Sequence, residues 1–414
     1  MNQSQTKRKM TAVIIAAACA VAIGSTSAWA QQGKLTKDGL KIGVLSDMSG
    51  VYADYGGPGA VAAAKMAIDD FGGKMFGKPI ELVSADHQNK PDIAKNVTLQ
   101  WFDREGVMAT FENLNSGVAL AVTALGKEKD RLTVVTGAAS ARLTNDACQP
   151  TSIHYLMDTI ALGNVVGKAI VKDGGDTWFF LTADYAFGHS LEKDTSEVVK
   201  AAGGKVLGAV RHPLNAGDFS SFLLQAQSSK AKIIGLANAG GDTVNSIKSA
   251  SEFGITKNQS LAALLMLITD VHAVGLNTAQ GLYLTEAWYW DTNAETRAWS
   301  KKFEERMKKK PNSNHASVYS AVMHYLKAVQ AAGTDDTTTV VKKMKDTPVN
   351  DMFAKNGIIR ADGRHVHDMY LYQVKKPSES KGPFDYYNLK GTVSGNDAFQ
   401  SLEKSQCPAF MKKS

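Results

Sequence analysis

Three short stretches of the chain combine hydroxyls, small side chains and glycine. That composition suits loops that hold a carboxylate with N–H and O–H groups rather than with a basic side chain. They are Ser46-Asp47-Met48-Ser49-Gly50-Val51-Tyr52, the run Glu112 to Gly117 with Asn115 and Ser116, and Gly137-Ala138-Ala139-Ser140. Three others, Asp184-Tyr185-Ala186-Phe187-Gly188, Asn238-Ala239-Gly240 and Met266-Leu267-Ile268-Thr269, are mainly aromatic and apolar. Together they describe a site that grips an acid group on one side and covers an apolar body on the other. Each residue also has a plainer use: Ser116 and Ser140 as helix caps, Phe187 and Met266 as core, Tyr52 and Tyr185 as surface tyrosines. Trp288 and Trp290 either wall the same cleft or pack in the interior.

Other chemistries lack their marks. Gly57-Pro58-Gly59-Ala60-Val61-Ala62 fits a dinucleotide fingerprint formally, but Pro58 interrupts the tight turn, and the stretch lies well past the preceding strand. No phosphate loop and no Gly-x-Ser-x-Gly elbow occurs. His365 and His367 share a strand face without a third ligand at metal spacing, and they read as solvent-exposed. Asp86-His87 reads as a turn. The chain is expected to be no enzyme and to need no cofactor or metal.

The elements that must position these loops alternate. Leu40 to Leu45 reads as a strand and is followed by a helix near Gly59 to Phe71, with Val61, Ala64, Ile68 and Phe71 on one face. Strands at Ile80 to Ser84, Val107 to Thr110 and Thr133 to Val135 follow, with a helix at Pro91 to Arg104. After a helix at Ile160 to Lys172 the pattern repeats: strands at Thr177 to Thr182, Lys205 to Val210, Lys232 to Ala237 and Leu261 to Leu267, with helices at Ser190 to Ala202, Phe219 to Ser228 and Thr243 to Phe253. A strand at Gly281 to Trp288, two helices (Ala294 to Lys309, Ser317 to Ala331) and a strand at Met369 to Val374 return to complete the earlier halves. Two α/β halves with mainly parallel sheets result. The six loops fall at carboxyl ends of strands, where open α/β sheets leave a crevice.

Lys7-Arg8-Lys9, the apolar run Met10 to Ile23 and Ala28-Trp29-Ala30 predict a signal peptide cleaved after Ala30, which discards Cys19. The mature chain is expected to lie in the periplasm and to lack a membrane span. The formal charge of +7 falls to +4 on loss of those three basic residues. The remaining basic residues are scattered, and the run from Lys301 to Lys310 is interleaved with Glu304 and Glu305, so no nucleic-acid partner is expected. The remaining cysteines, Cys148 and Cys407, fit either a disulfide or two buried thiols.

The order and spacing of Lys41-Ile42-Gly43-Val44 through Ser49-Gly50, Tyr55-Gly56, Asp86-His87-Gln88-Asn89 before Pro91-Asp92, Val135 to Ser140, Tyr185-Ala186-Phe187-Gly188 and Asp218-Phe219 carry a resemblance. From about Lys41 to Tyr372 the chain resembles periplasmic solute-binding proteins of the branched-chain amino acid type, which serve ATP-driven (ABC) importers. The resemblance implies the type I periplasmic binding protein fold: two Rossmann-like lobes, a hinge of three crossings, and closure over ligand. It implies a monomer that delivers its ligand to a membrane permease. On that fold lobe 1 takes 37–158 and 289–368, lobe 2 takes 159–288 and 369–396, and 397–414 is a tail. The family's carboxylate positions fall on Asn115, Ser116, Ala138, Ala139 and Ser140, and its aromatic lid on Phe187. Its acidic position for an α-ammonium falls near Met266 or Leu267, where a desolvated ammonium has no counter-charge. The departure favours a small carboxylate with an apolar or aromatic body, with amino acids as the alternative ligand and a receptor-coupled sensor as the alternative role.

Overall fold

In strand β1 (Leu40–Ser46) every residue but Lys41 is buried, as in a strand covered on both faces. The computed structural model describes residues 33–408; the expected signal peptide, with Cys19, and the end of the tail lie outside the described residues. With β2 (Lys74–Met75), β3 (Lys78–Asp86), β4 (Val107–Glu112), β5 (Leu132–Val135) and β6 (Ser152–His154), β1 forms a six-stranded sheet in the order β2-β3-β1-β4-β5-β6. All its pairings are parallel except that of β2. The second half builds β7 (Thr177–Ala183), β8 (Lys205–His212), β9 (Ile233–Ala237) and β10 (Ser260–Ala263) into a parallel sheet ordered β10-β9-β7-β8. Strand β11 (Tyr283–Glu286) does not extend that sheet. The pair β12 (Ile358–Ile359) and β13 (His365–Val366) follows, and then β14 (Met369–Val374) and β15 (Tyr387–Val393) join β11 in an antiparallel sheet ordered β11-β14-β15.

Eight helices matter for the site: α1 (Gly57–Phe71), α2 (Pro91–Gln100), α3 (Ser116–Glu128), α4 (Ala186–Ala201), α5 (Gly241–Glu252), α6 (Ile268–Val274), α7 (Ala294–Met307) and α8 (Ser313–Ala332). Helices α7 and α8 pack on α1, so the late helices complete the first lobe, while β14 completes the second. The chain therefore passes between lobes after β6, after β11 and between β13 and β14. This is the expected two-lobe α/β fold.

Several boundaries differ from the sequence reading. Helix α4 begins at Ala186, which puts Phe187 and Gly188 in its first turn. Strand β10 ends at Ala263, so Met266 and Leu267 lie beyond it. On α1 the buried stripe runs through Ala60, Ala63, Ala64, Ala67 and Ile68, with Val61 and Phe71 only partly covered. His365 and His367 are buried rather than exposed: the Nδ1 of His365 bonds the carbonyl of Tyr155 at 3.0 Å, and the Nε2 of His367 bonds that of Leu156 at 3.0 Å. They lock the crossing segments, and no cluster of metal-ligating side chains occurs among the described residues. Cys148 and Cys407 are joined, their Cα atoms 5.5 Å apart and 259 residues distant in sequence.

Candidate functional site

The site lies at the carboxyl ends of the strands, where β1 and β4 of one sheet face β7, β9 and β10 of the other. After β4 the backbone turns through left-handed conformations at Glu112, Asn113 and Asn115, with φ of 74°, 49° and 77°. The Asn115 side chain caps α3, accepting from the N–H groups of Gly117 at 2.9 Å and Val118 at 3.2 Å. Asn115, not Ser116, is therefore the cap, and Ser116 is left to point its hydroxyl elsewhere. Its Oγ accepts from the N–H of Ser140 at 3.1 Å, tying the β4 loop to the β5 loop. Among the described residues no acceptor within the chain bonds the N–H of Ala138 or Ala139.

Beneath these loops Glu112 is fully buried, accepting from Thr136 Oγ1 at 2.6 Å and Asn314 Nδ2 at 2.8 Å. Burial pushes its carboxyl up to about 7, although those hydrogen bonds oppose the shift. The loop after β1 is held by Asp47, which accepts from the N–H groups of Gly50 and Tyr52 and from Asn89 Nδ2.

From the second lobe come Tyr185, which precedes α4, and Phe187 in its first turn, with ring centroids 6.0 Å apart. The hydroxyls of Tyr52 and Tyr185 meet at 2.6 Å across the cleft. Burial raises both phenols above their ordinary range. The interlobe cavity is lined by Tyr52, Tyr55, Leu114, Asn115, Ser116 and Gly137 to Ala139 from the first lobe, and by Tyr185, Phe187, Ala239 and Leu265 from the second. It measures about 20 Å³, room for about one water, so anything larger enters only when the lobes part. None of the lining side chains is charged.

Eight of the twelve expected site residues therefore converge: Tyr52, Asn115, Ser116, Ala138, Ala139, Tyr185, Phe187 and Ala239. The other four sit elsewhere. Ser140 is fully buried, its Oγ 2.7 Å from Ser190 Oγ on α4, so it bridges the lobes beside the cavity. Asn238 bonds Thr243, Ser246 and His212 inside the second lobe. Gly240, at φ 59°, lies where a Cβ would come 2.4 Å from the Val51 carbonyl, and the next residue donates its N–H to that carbonyl at 3.0 Å; it allows close approach of the lobes. Met266 is buried in the core of the second lobe, and its neighbour Leu265 faces the cavity. Trp288 and Trp290 do not line it: the indole N–H of Trp288 donates to the Met352 carbonyl, and that of Trp290 donates to the Phe384 carbonyl.

The sequence reading missed Tyr55, Leu114, Gly137 and Leu265. Leu114 and Gly137 lie inside loops the sequence already singled out, Tyr55 belongs to the Tyr55-Gly56 turn of the family pattern, and Leu265 carried no signal.

A model of the family described as periplasmic binding proteins matches residues 39–383. A periplasmic binding protein from Burkholderia mallei is 56% identical, with 90% of this chain and 99% of that one covered and a TM-score of 0.89. A branched-chain amino acid ABC transporter periplasmic ligand-binding protein from Burkholderia xenovorans is 40% identical, covering 89% and 99%, at TM-score 0.80. A solute-binding protein of an ABC transporter from R. palustris, solved with benzoate, is 22% identical over 86% and 96%, at TM-score 0.77, a likeness of fold. Two lobes that meet at the carboxyl ends of their strands, with a match across most of the chain, establish one assignment: this chain belongs to the periplasmic binding proteins of ABC transporters, in the branched-chain amino acid binding protein family.

Proposed function

We propose that the protein is the solute-binding component of an ABC importer, taking a small carboxylate with an apolar or aromatic body into the interlobe cleft and delivering it to a permease. The carrying observation is that the cavity offers N–H and O–H donors on one wall and no free carboxylate on the other. Ala138, Ala139 and Ser116 supply donors beside the N-terminus of α3, where the helix dipole favours an anion. Leu114, Phe187, Ala239 and Leu265 surround the ligand body, and Tyr52 and Tyr185 close over it. An ammonium beside Leu265 would be desolvated without a partner. Asp270, a buried acid on that side, already accepts from Tyr55 and from the N–H of Leu267. The fold neighbour solved with benzoate supports the fold's capacity for such a ligand.

The name of the relative from Burkholderia xenovorans favours a second reading, uptake of a branched-chain amino acid. A thermal-shift panel of aromatic and aliphatic carboxylates, amino acids and sugars separates the two. Ligand at a hundredfold its Kd adds about 2.7 kcal/mol of stability. A shift with benzoate-like acids supports the first reading, a shift with leucine or valine alone replaces it with the second, and silence across the panel removes both. The same reading carries a monomer in the periplasm after cleavage past Ala30, with lobes of 37–158 plus 289–368 and 159–288 plus 369–396.

A further inference from the structure

Tyr55 and Asp270 stand on opposite lobes, and each is held in place before they meet. The Tyr55 carbonyl accepts from Asn312 Nδ2 at 3.2 Å and Asn314 Nδ2 at 3.1 Å, both at the start of α8, which fixes the turn that carries the ring. Asp270 is fixed from its own side. Its Oδ2 accepts the Leu267 N–H at 2.8 Å, as the third residue of α6 closing over the helix N-terminus. Onto that same oxygen the Tyr55 hydroxyl donates at 2.5 Å, with the Leu265 carbonyl 3.3 Å away as a second acceptor. Both residues are 4% exposed. Two rigid partners meeting out of water form a stronger bond than two flexible ones, because little side-chain freedom is lost at closure.

We infer that the Tyr55–Asp270 bond is an interlobe latch, and that Asp270 is a positioning residue that slows ligand release without touching the ligand. The latch is distinct from the Tyr52–Tyr185 contact, which joins two neutral hydroxyls at the lip. Separating Tyr55 from Asp270 breaks a hydrogen bond made out of water before solvent can replace it, a cost borne by the opening step. The latch therefore acts on dissociation and leaves association of the open form unchanged. Its existence does not depend on which solute binds, although its effect on release rests on the cleft being the ligand site.

The test uses Tyr55→Phe, Asp270→Asn and Asp270→Ala in the full mature chain. Asparagine keeps the oxygen that receives both Tyr55 and Leu267, whereas alanine removes it. The ligand-free radius of gyration, from small-angle scattering, should be larger for Tyr55→Phe and Asp270→Ala than for the unaltered protein, and unchanged for Asp270→Asn. With benzoate as the probe, stopped-flow fluorescence should show release at least tenfold faster in the first two variants, association no slower, and Asp270→Asn close to the unaltered protein. The double variant Tyr55→Phe/Asp270→Ala should release no faster than the singles. Equal scattering and equal release rates for Tyr55→Phe would overturn the latch, even if Asp270→Ala lowers the melting temperature. If benzoate does not bind, the scattering comparison decides alone, so failure of the ligand reading and failure of the latch remain separate outcomes.

Discussion

Ser116→Ala tests the carboxylate subsite where the structure makes two separable demands on one hydroxyl. In the unaltered protein, Ser116 Oγ accepts from the Ser140 N–H at 3.1 Å, and both residues are buried. Its own proton is left to donate into the cleft. Removing the hydroxyl leaves the Ser140 N–H without that acceptor, which costs about 1–3 kcal/mol of stability. For a chain of this size each kcal/mol lowers the melting temperature by roughly 1–2 °C. On the ligand side the variant loses one charge-assisted hydrogen bond, about 1.5–3 kcal/mol, so Kd for a carboxylate rises roughly 10- to 100-fold. A neutral isostere makes only an ordinary hydrogen bond there and loses less. Calorimetric titration of the unaltered protein and Ser116→Ala with benzoate and with benzamide reads this directly: the preference for the acid should shrink in the variant. If both affinities fall by the same factor, Ser116 serves only the packing of the two loops. If neither changes, the hydroxyl does not face the ligand at all and the subsite is misplaced.

The disulfide Cys148–Cys407 closes a loop of 259 residues, worth up to about 5 kcal/mol by chain entropy; reduction, or the pair Cys148→Ser/Cys407→Ser, should lower the melting temperature by about 5 °C or more, and a change under about 1 °C would contradict that estimate. Stability should also fall as pH rises from about 6.5 to 8. Burial foremost pushes Glu286 up to about 8, and Glu112 and Asp270 up to about 7, so the folded state holds protons there that the unfolded state has released. That contribution is complete below the ordinary carboxylate range and is lost as pH climbs through the folded values. Histidines kept neutral by burial, His315 at about 3 and His87 and His367 at about 4, act in the opposite direction but only below about 6.5, where the unfolded state takes up their protons. Melting temperatures across that range should show the decline, and Glu286→Gln should flatten it; a rise in stability toward pH 8 would contradict the role given to burial.

What the sequence by itself determined is the alternation and its consequence. Apolar runs such as Leu40 to Leu45 read as strands, and their alternation with amphipathic segments implies a parallel sheet covered on both faces. Its carboxyl-end loops are then where a site is expected, so the loops holding Asn115, Ser116, Ala138, Ala139, Tyr185 and Phe187 are legible from residue types, while the resemblance to the family picked out the individual positions. Tertiary structure alone decided which neighbour faces the cavity. Beyond the end of β10 the chain no longer alternates regularly, so Leu265 rather than Met266 reaches the cleft, a difference of one residue that no periodicity resolves. Likewise Asn238 and His367 look like surface or site groups in sequence, yet both are consumed by internal hydrogen bonds, Asn238 within its own lobe and His367 to Leu156, 211 residues away. The same holds for Asp270, separated from Tyr55 by 215 residues: a pairing across two lobes is set by how they close, and local sequence carries no trace of it.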